Sequence, residues 1–146
     1  MAKTTEPAST NGTPTANCNI AVLRGVVRRP PEWRTLPSGD ELVQLEVRVE
    51  RPGAPADTVP VELLHPPKSI ARLRVDEPVV VVGRVQRRFF RAAGALASRT
   101  AVAATAVVAA TQRRRVARVL EAAVAALDPE LDKAGDSARQ DGGIGR

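Results

Sequence analysis

Four consecutive valines, Val79 to Val82, run into one glycine and then into Arg84-Val85-Gln86-Arg87-Arg88-Phe89-Phe90-Arg91. The β-branched run demands an extended backbone, and the segment after the glycine is a strand on which cationic and aromatic side chains alternate. Neighbouring side chains on a strand point to opposite faces. One face therefore carries Arg84, Gln86, Arg88 and Phe90, and the other Val81, Val85, Arg87 and Phe89. Guanidinium groups for phosphates beside a ring on which a base can stack is the combination that binds single-stranded nucleic acid.

The rest of the chain repeats this extended habit. Ile20 to Val27 is a short apolar run with Gly25 inside it, a sign of a bulge or sharp bend, closed by Arg28-Arg29-Pro30-Pro31. Leu36-Pro37-Ser38-Gly39-Asp40 has turn chemistry. Val43, Leu45, Val47 and Val49 alternate with Gln44, Glu46, Arg48 and Glu50, which is a strand with one buried and one wet face. Arg51 to Asp57 reads as a loop and Thr58 to Leu64 as a third strand, with Pro60 placing it at an edge or bulge. Lys68 to Val75 reads as one short helix, Ala92-Ala93-Gly94 as a turn and Leu96 to Val108 as the fifth strand.

Five strands in about 90 residues, interrupted by glycine and with one short helix between strands three and four, predict a mainly β chain with an OB-fold, a five-stranded partly open barrel. Past it, Val116, Val119, Leu120, Ala123, Val124 and Leu127 recur at three- and four-residue steps and predict an amphipathic helix. The expected organisation is a disordered leader over 1–17, the OB domain over 18–110, the helix over 111–128 and a disordered tail over 129–146.

Charge bears on the partner. The net charge is +6, but Cys18 to Leu127 holds 18 basic and 10 acidic residues, whereas Asp128 to Arg146 holds five acidic and three basic. A basic body fits a polyanion. One cysteine and one histidine exclude an internal disulfide and a Cys/His metal cluster. Glu46, Glu50 and Glu62 have no partner histidine or metal motif, so no enzymatic activity and no cofactor are expected. Neither a signal peptide nor an apolar run of membrane-spanning length is present, which predicts a cytoplasmic, nucleoid-associated protein with no membrane or small-molecule partner.

In their order along the chain, four segments resemble the bacterial single-stranded DNA-binding protein family, and in particular its short, Arg-rich forms from GC-rich bacteria. Asn19-Ile20-Ala21-Val22-Leu23-Arg24-Gly25-Val26 is similar to the family's first strand. Pro31-Glu32-Trp33-Arg34 with Leu36-Pro37-Ser38-Gly39 is similar to its P-E-x-R-x-x-P-S-G stretch. Asp57-Thr58-Val59-Pro60-Val61 is similar to D-x-I-P-V, and Gly83 to Phe90 to G-R-L-Q-x-R-x-[YW]. The resemblance implies an OB-fold that holds single-stranded DNA without strict sequence preference, in support of replication, recombination or repair. It also implies a homo-oligomer, a dimer or tetramer, with Phe90 as a stacking residue and Arg84 and Arg88 facing the DNA. Family members commonly place aromatics where this chain has Thr58 and Leu64, and they end in an acidic tip, whereas this sequence ends Gly142-Gly143-Ile144-Gly145-Arg146. Recruitment of partners through such a tip is therefore not expected.

The candidate nucleic-acid-binding residues are Arg28, Arg29, Trp33, Arg48, Arg51, Arg84, Arg88, Phe90 and Arg91. Trp33, between turn signals, reads either as an exposed platform or as a lid on the barrel. Phe89, on the face opposite Phe90, reads as packing. The rival reading is an OB-fold that has lost DNA affinity and serves as a protein-interaction module through the Val116–Leu127 helix.

Overall fold

The computed structural model describes residues 17–128; the leader expected over 1–17, apart from Asn17, and the tail expected over 129–146 lie outside the described residues. The described residues form six strands and one α-helix: β1 (Ala21–Val27), β2 (Glu32–Thr35), β3 (Glu41–Arg51), β4 (Ala54–Leu64), β5 (Pro78–Ala92), β6 (Ala95–Ala109) and α1 (Arg113–Leu127). Hydrogen bonding runs β1-β5-β6-β4-β3-β2, and β1 returns to pair with β3, which closes a five-stranded barrel with β2 outside it. All neighbours are antiparallel except β4 and β6. The chain is mainly β and its barrel is OB-fold-like, as the strand spacing predicts.

Period-two patterning explains the core. Val43, Leu45 and Val47 of β3 meet Val61 and Leu63 of β4, Val79 and Val81 of β5, and Val102 and Val107 of β6 inside the barrel. The short helix is a 3-10 turn, Lys68–Arg72, that ends before Val75 and drops Ile70 into the barrel end. Two departures from the sequence reading have local causes. The loop read over 51–57 shrinks to Pro52-Gly53, because Gly53 takes φ 69° and lets Arg51 pair with Ala54. β2 is an additional strand, held by its register on β3 from Glu32–Gln44 to Thr35–Glu41.

The valine run is buried on both faces for a reason outside the barrel. Val79 and Val81 point inward, while Val80 and Val82 point outward and are nonetheless buried, on the strand that α1 contacts together with β6. A shift in register at Val82/Gly83 leaves Thr105 bulged out of β6, its hydroxyl donating to the Val82 carbonyl at 3.1 Å. The helix, expected over 111–128, covers Arg113–Leu127 and seats loosely: of its residues only Ala123 is buried, and a cleft of about 410 Å³ separates α1 from Val82 and Ala106. Among the described residues no helix is long and apolar enough to cross a membrane.

Asn19 pins the chain just before β1. Its side-chain amide donates to the Val85 carbonyl at 2.8 Å and accepts from the Val85 N–H at 2.9 Å, completing the β5 edge where β1 ends. Asn19→Ala is expected to lower stability by about 1 kcal/mol, the usual net worth of such bonds, read as a lower urea midpoint with an unchanged slope.

Candidate nucleic-acid interface

Directly paired strand residues share a face, so the registers assemble the site. Gln86 lies opposite Ala101, Arg88 opposite Arg99, and Phe90 opposite Ala97. Across the barrel, Glu62 pairs with both Gln44 and Ala103, and Gln44 with Glu32. The outer surface of β2-β3-β4-β6-β5 is thus one continuous face, and Arg84, Arg88 and Phe90 belong to it, on the strand parity that the sequence predicts.

Near its centre sits Glu62, whose side chain is only 11% exposed. It accepts from Gln44 Nε2 at 3.4 Å and pairs with Arg88 Nη2 at 3.5 Å. Arg99, Gln86 and Ala101 complete this small hollow. A wider polar depression of about 240 Å³ lies beside it, lined by Arg29, Glu32, Arg34, Gln44, Glu46 and Arg99 among others. Arg99 therefore joins both parts of the face. Arg34 and Arg99 are additions to the sequence-derived set.

The candidate arginines divide into two groups. Arg28 and Arg29, in the β1–β2 loop, reach the same Glu46 carboxylate oxygen at 3.4 and 3.5 Å. Arg48 pairs with Glu50 at 2.7 Å, and Arg51 with Asp57 at 3.4 Å. All four are compensated from within the barrel. By contrast Arg84 and Arg91 enter no ion pair among the described residues. The same division runs through the whole molecule. Residues 21–77 hold nine basic and nine acidic side chains, while residues 78–120 hold nine arginines and no carboxylate. The uncompensated field belongs to β5, β6 and the start of α1.

Aromatic placement is equally uneven. Phe90 is 46% exposed on the outer face. Trp33 is 44% exposed but pairs with Val43, a core residue, so it stands on the opposite face from Arg88 and Phe90. Arg91 likewise shares the other side of β5, with Arg87 and Phe89. Thr58 and Leu64 lie on the outward parity of β4 with Glu62, giving that strand no stacking ring. Phe89, expected to pack, is 62% exposed, because the barrel interior ends before β5 reaches it.

No family model matches the chain, and no curated protein matches it.

Proposed function

We propose that this chain binds single-stranded DNA without sequence preference, on the outer face of its OB-like barrel and chiefly along β5 and β6. The observation that carries the reading is the stretch from Pro78 to Leu120, which holds nine arginines and no carboxylate and presents Phe90 beside Arg88 on the outer face of β5. Arginines capture the phosphate backbone, and the ring takes an unpaired base. The similarity of four segments to the bacterial single-stranded DNA-binding family supports the same role, in replication, recombination or repair within the nucleoid-associated cytoplasm. A homo-oligomer, a dimer or tetramer, is part of the proposal: β1 meets β3 only at Val26 and Val27, so among the described residues Ala21–Gly25 keeps an open edge.

The test is fluorescence anisotropy with a labelled single strand against a duplex of equal length, long enough for several sites of the ~4–16 nucleotides that an OB-fold covers. The single strand is expected to bind more tightly, and Phe90→Ala to weaken it by roughly 5- to 150-fold, the worth of one stacked base. A native protein that binds neither nucleic acid at low salt would sink the reading. A protein-interaction module would then stand in its place, favoured by the compensated arginines at Arg28, Arg29, Arg48 and Arg51 and by the exposed Val124 and Leu127 on α1.

A further inference from the structure

The single-strand reading uses the outer face of β5 and β6, but these strands outrun the barrel. β1 leaves β5 at Gly83, and β4 leaves β6 at Val102. Among the described residues, the two strands pair only with each other from Gln86 and Ala101 to the turn, a ribbon that projects about 20 Å at 3.4 Å per residue. A lone two-stranded hairpin is marginal in water, and one that exposes large apolar groups invites a partner.

Both faces of this ribbon have the same make-up. The outer face carries Arg88, Phe90 and Arg99; the reverse face carries Arg87, Phe89, Arg91 and Leu96. Phe89 and Leu96 are 62% and 71% exposed. Arg87 is already arranged for stacking: its guanidinium lies 4.9 Å from the Phe89 ring centroid, and Nε and Nη2 donate to the Ser98 hydroxyl at 3.2 and 3.0 Å. No carboxylate occurs in the ribbon, so the reverse face offers stacking surface and positive charge together.

Resting on the single-strand reading, we propose that the ribbon is gripped by nucleic acid on both faces, with Phe89, Arg87 and Arg91 forming a second base-stacking site behind the one at Phe90. Adjacent residues cannot serve one linear path, so a strand that fills both sites passes around the end of the ribbon. The turn there suits it. Ala92, Ala93, Gly94 and Ala95 put nothing bulky in the way, and Ala93 and Gly94 hold φ 51° and 79°, the two positive angles of a tight type I′ turn.

The experiment compares the full native chain with Phe89→Ala and Phe90→Ala on oligothymidylates from roughly 5 to 30 nucleotides, spanning one to several OB site sizes. Phe90→Ala is expected to weaken every length. Phe89→Ala is expected to leave the shortest unchanged and to weaken the longest by roughly 5- to 150-fold. As a second readout, the indole added by Phe89→Trp should be quenched by long strands and not by short ones. Native affinity of Phe89→Ala at every length, with the added indole unquenched, overturns the proposal while Phe90→Ala still marks the outer site. A loss of oligomer mass in Phe89→Ala with unchanged DNA affinity overturns it too, assigning the ring to a contact between copies. A native chain that binds no oligonucleotide is a different failure, that of the single-strand reading itself.

Discussion

Gly83→Ala is expected to lose roughly 1–3 kcal/mol of stability, toward the upper end for overpacking, and to melt roughly 10 °C below the native protein. A methyl group at Gly83 would fall against the backbone carbonyl oxygen of Ala103 and within 2.7 Å of the Ala104 Cα. A flexible side chain would swing aside; these atoms belong to the paired strand and do not. Gly83 also marks the register shift between β5 and β6 and is the last residue of β5 that β1 pairs with, three residues before the ribbon begins at Gln86. Gly25 is crowded in the same way by the Arg48 carbonyl and by Val47 Cγ1 at 2.8 Å, where β1 turns from β5 to β3. Gly94 is the internal comparison: its φ of 79° disfavours a side chain, yet nothing lies within 4 Å of the added methyl. Thermal melts followed by far-UV circular dichroism should therefore order the variants with Gly83→Ala below Gly94→Ala. Equal melting temperatures would mean that the two strands do not approach so closely at this corner.

The parts of the fold legible from sequence were those in which each residue's own chemistry dictates its place. β3 alternates because one side faces the core, so Val43, Leu45 and Val47 could be read as buried. The helix stripe showed α1, though not its seat, which depends on Val80 and Val82 facing outward from the barrel. β2 was hidden because Glu32-Trp33-Arg34-Thr35 has no apolar alternation and is a strand only by virtue of its partner. At the candidate site, the face shared by Arg84, Arg88 and Phe90 follows from period two alone. Arg99 was within reach of the same logic: a two-residue turn at Ala93-Gly94 fixes the register and sets it opposite Arg88. The pairing of Arg28 and Arg29 with Glu46 was not, since it joins a loop to a strand 18 residues away for Arg28. Nor was the exposure of Phe89, which depends on where the barrel stops.

Salt should act on DNA binding in proportion to the arginines of β5 and β6 that contact phosphate. Each phosphate contact made to a single strand contributes a slope of about −0.7 in log K against log salt. The ribbon and its base supply Arg84, Arg87, Arg88, Arg91 and Arg99. Five contacts would cost roughly 100-fold in affinity between about 50 and 200 mM salt. Arg88 differs from the others because it already spans 3.5 Å to Glu62, which is largely buried and also holds Gln44. A phosphate approaching Arg88 competes with that carboxylate, while a phosphate approaching Arg91 meets no rival. Glu62→Gln removes the negative charge and keeps an amide that accepts from the same donors. It is expected to tighten single-strand binding at low salt by several fold, within the ~0.2–1 kcal/mol of an ion pair whose arginine is open to solvent, and to steepen the slope by up to about 0.7. Arg84→Gln and Arg91→Gln should each do the reverse, flattening the slope by about the same amount. Glu50→Gln, which frees Arg48 on the compensated half of the barrel, should change the slope little. Anisotropy titrations of the four variants across a salt series separate these expectations. If Glu50→Gln moves the slope and Glu62→Gln does not, the strand follows β3 rather than β5, and the uncompensated charge on β5 and β6 is not what draws it.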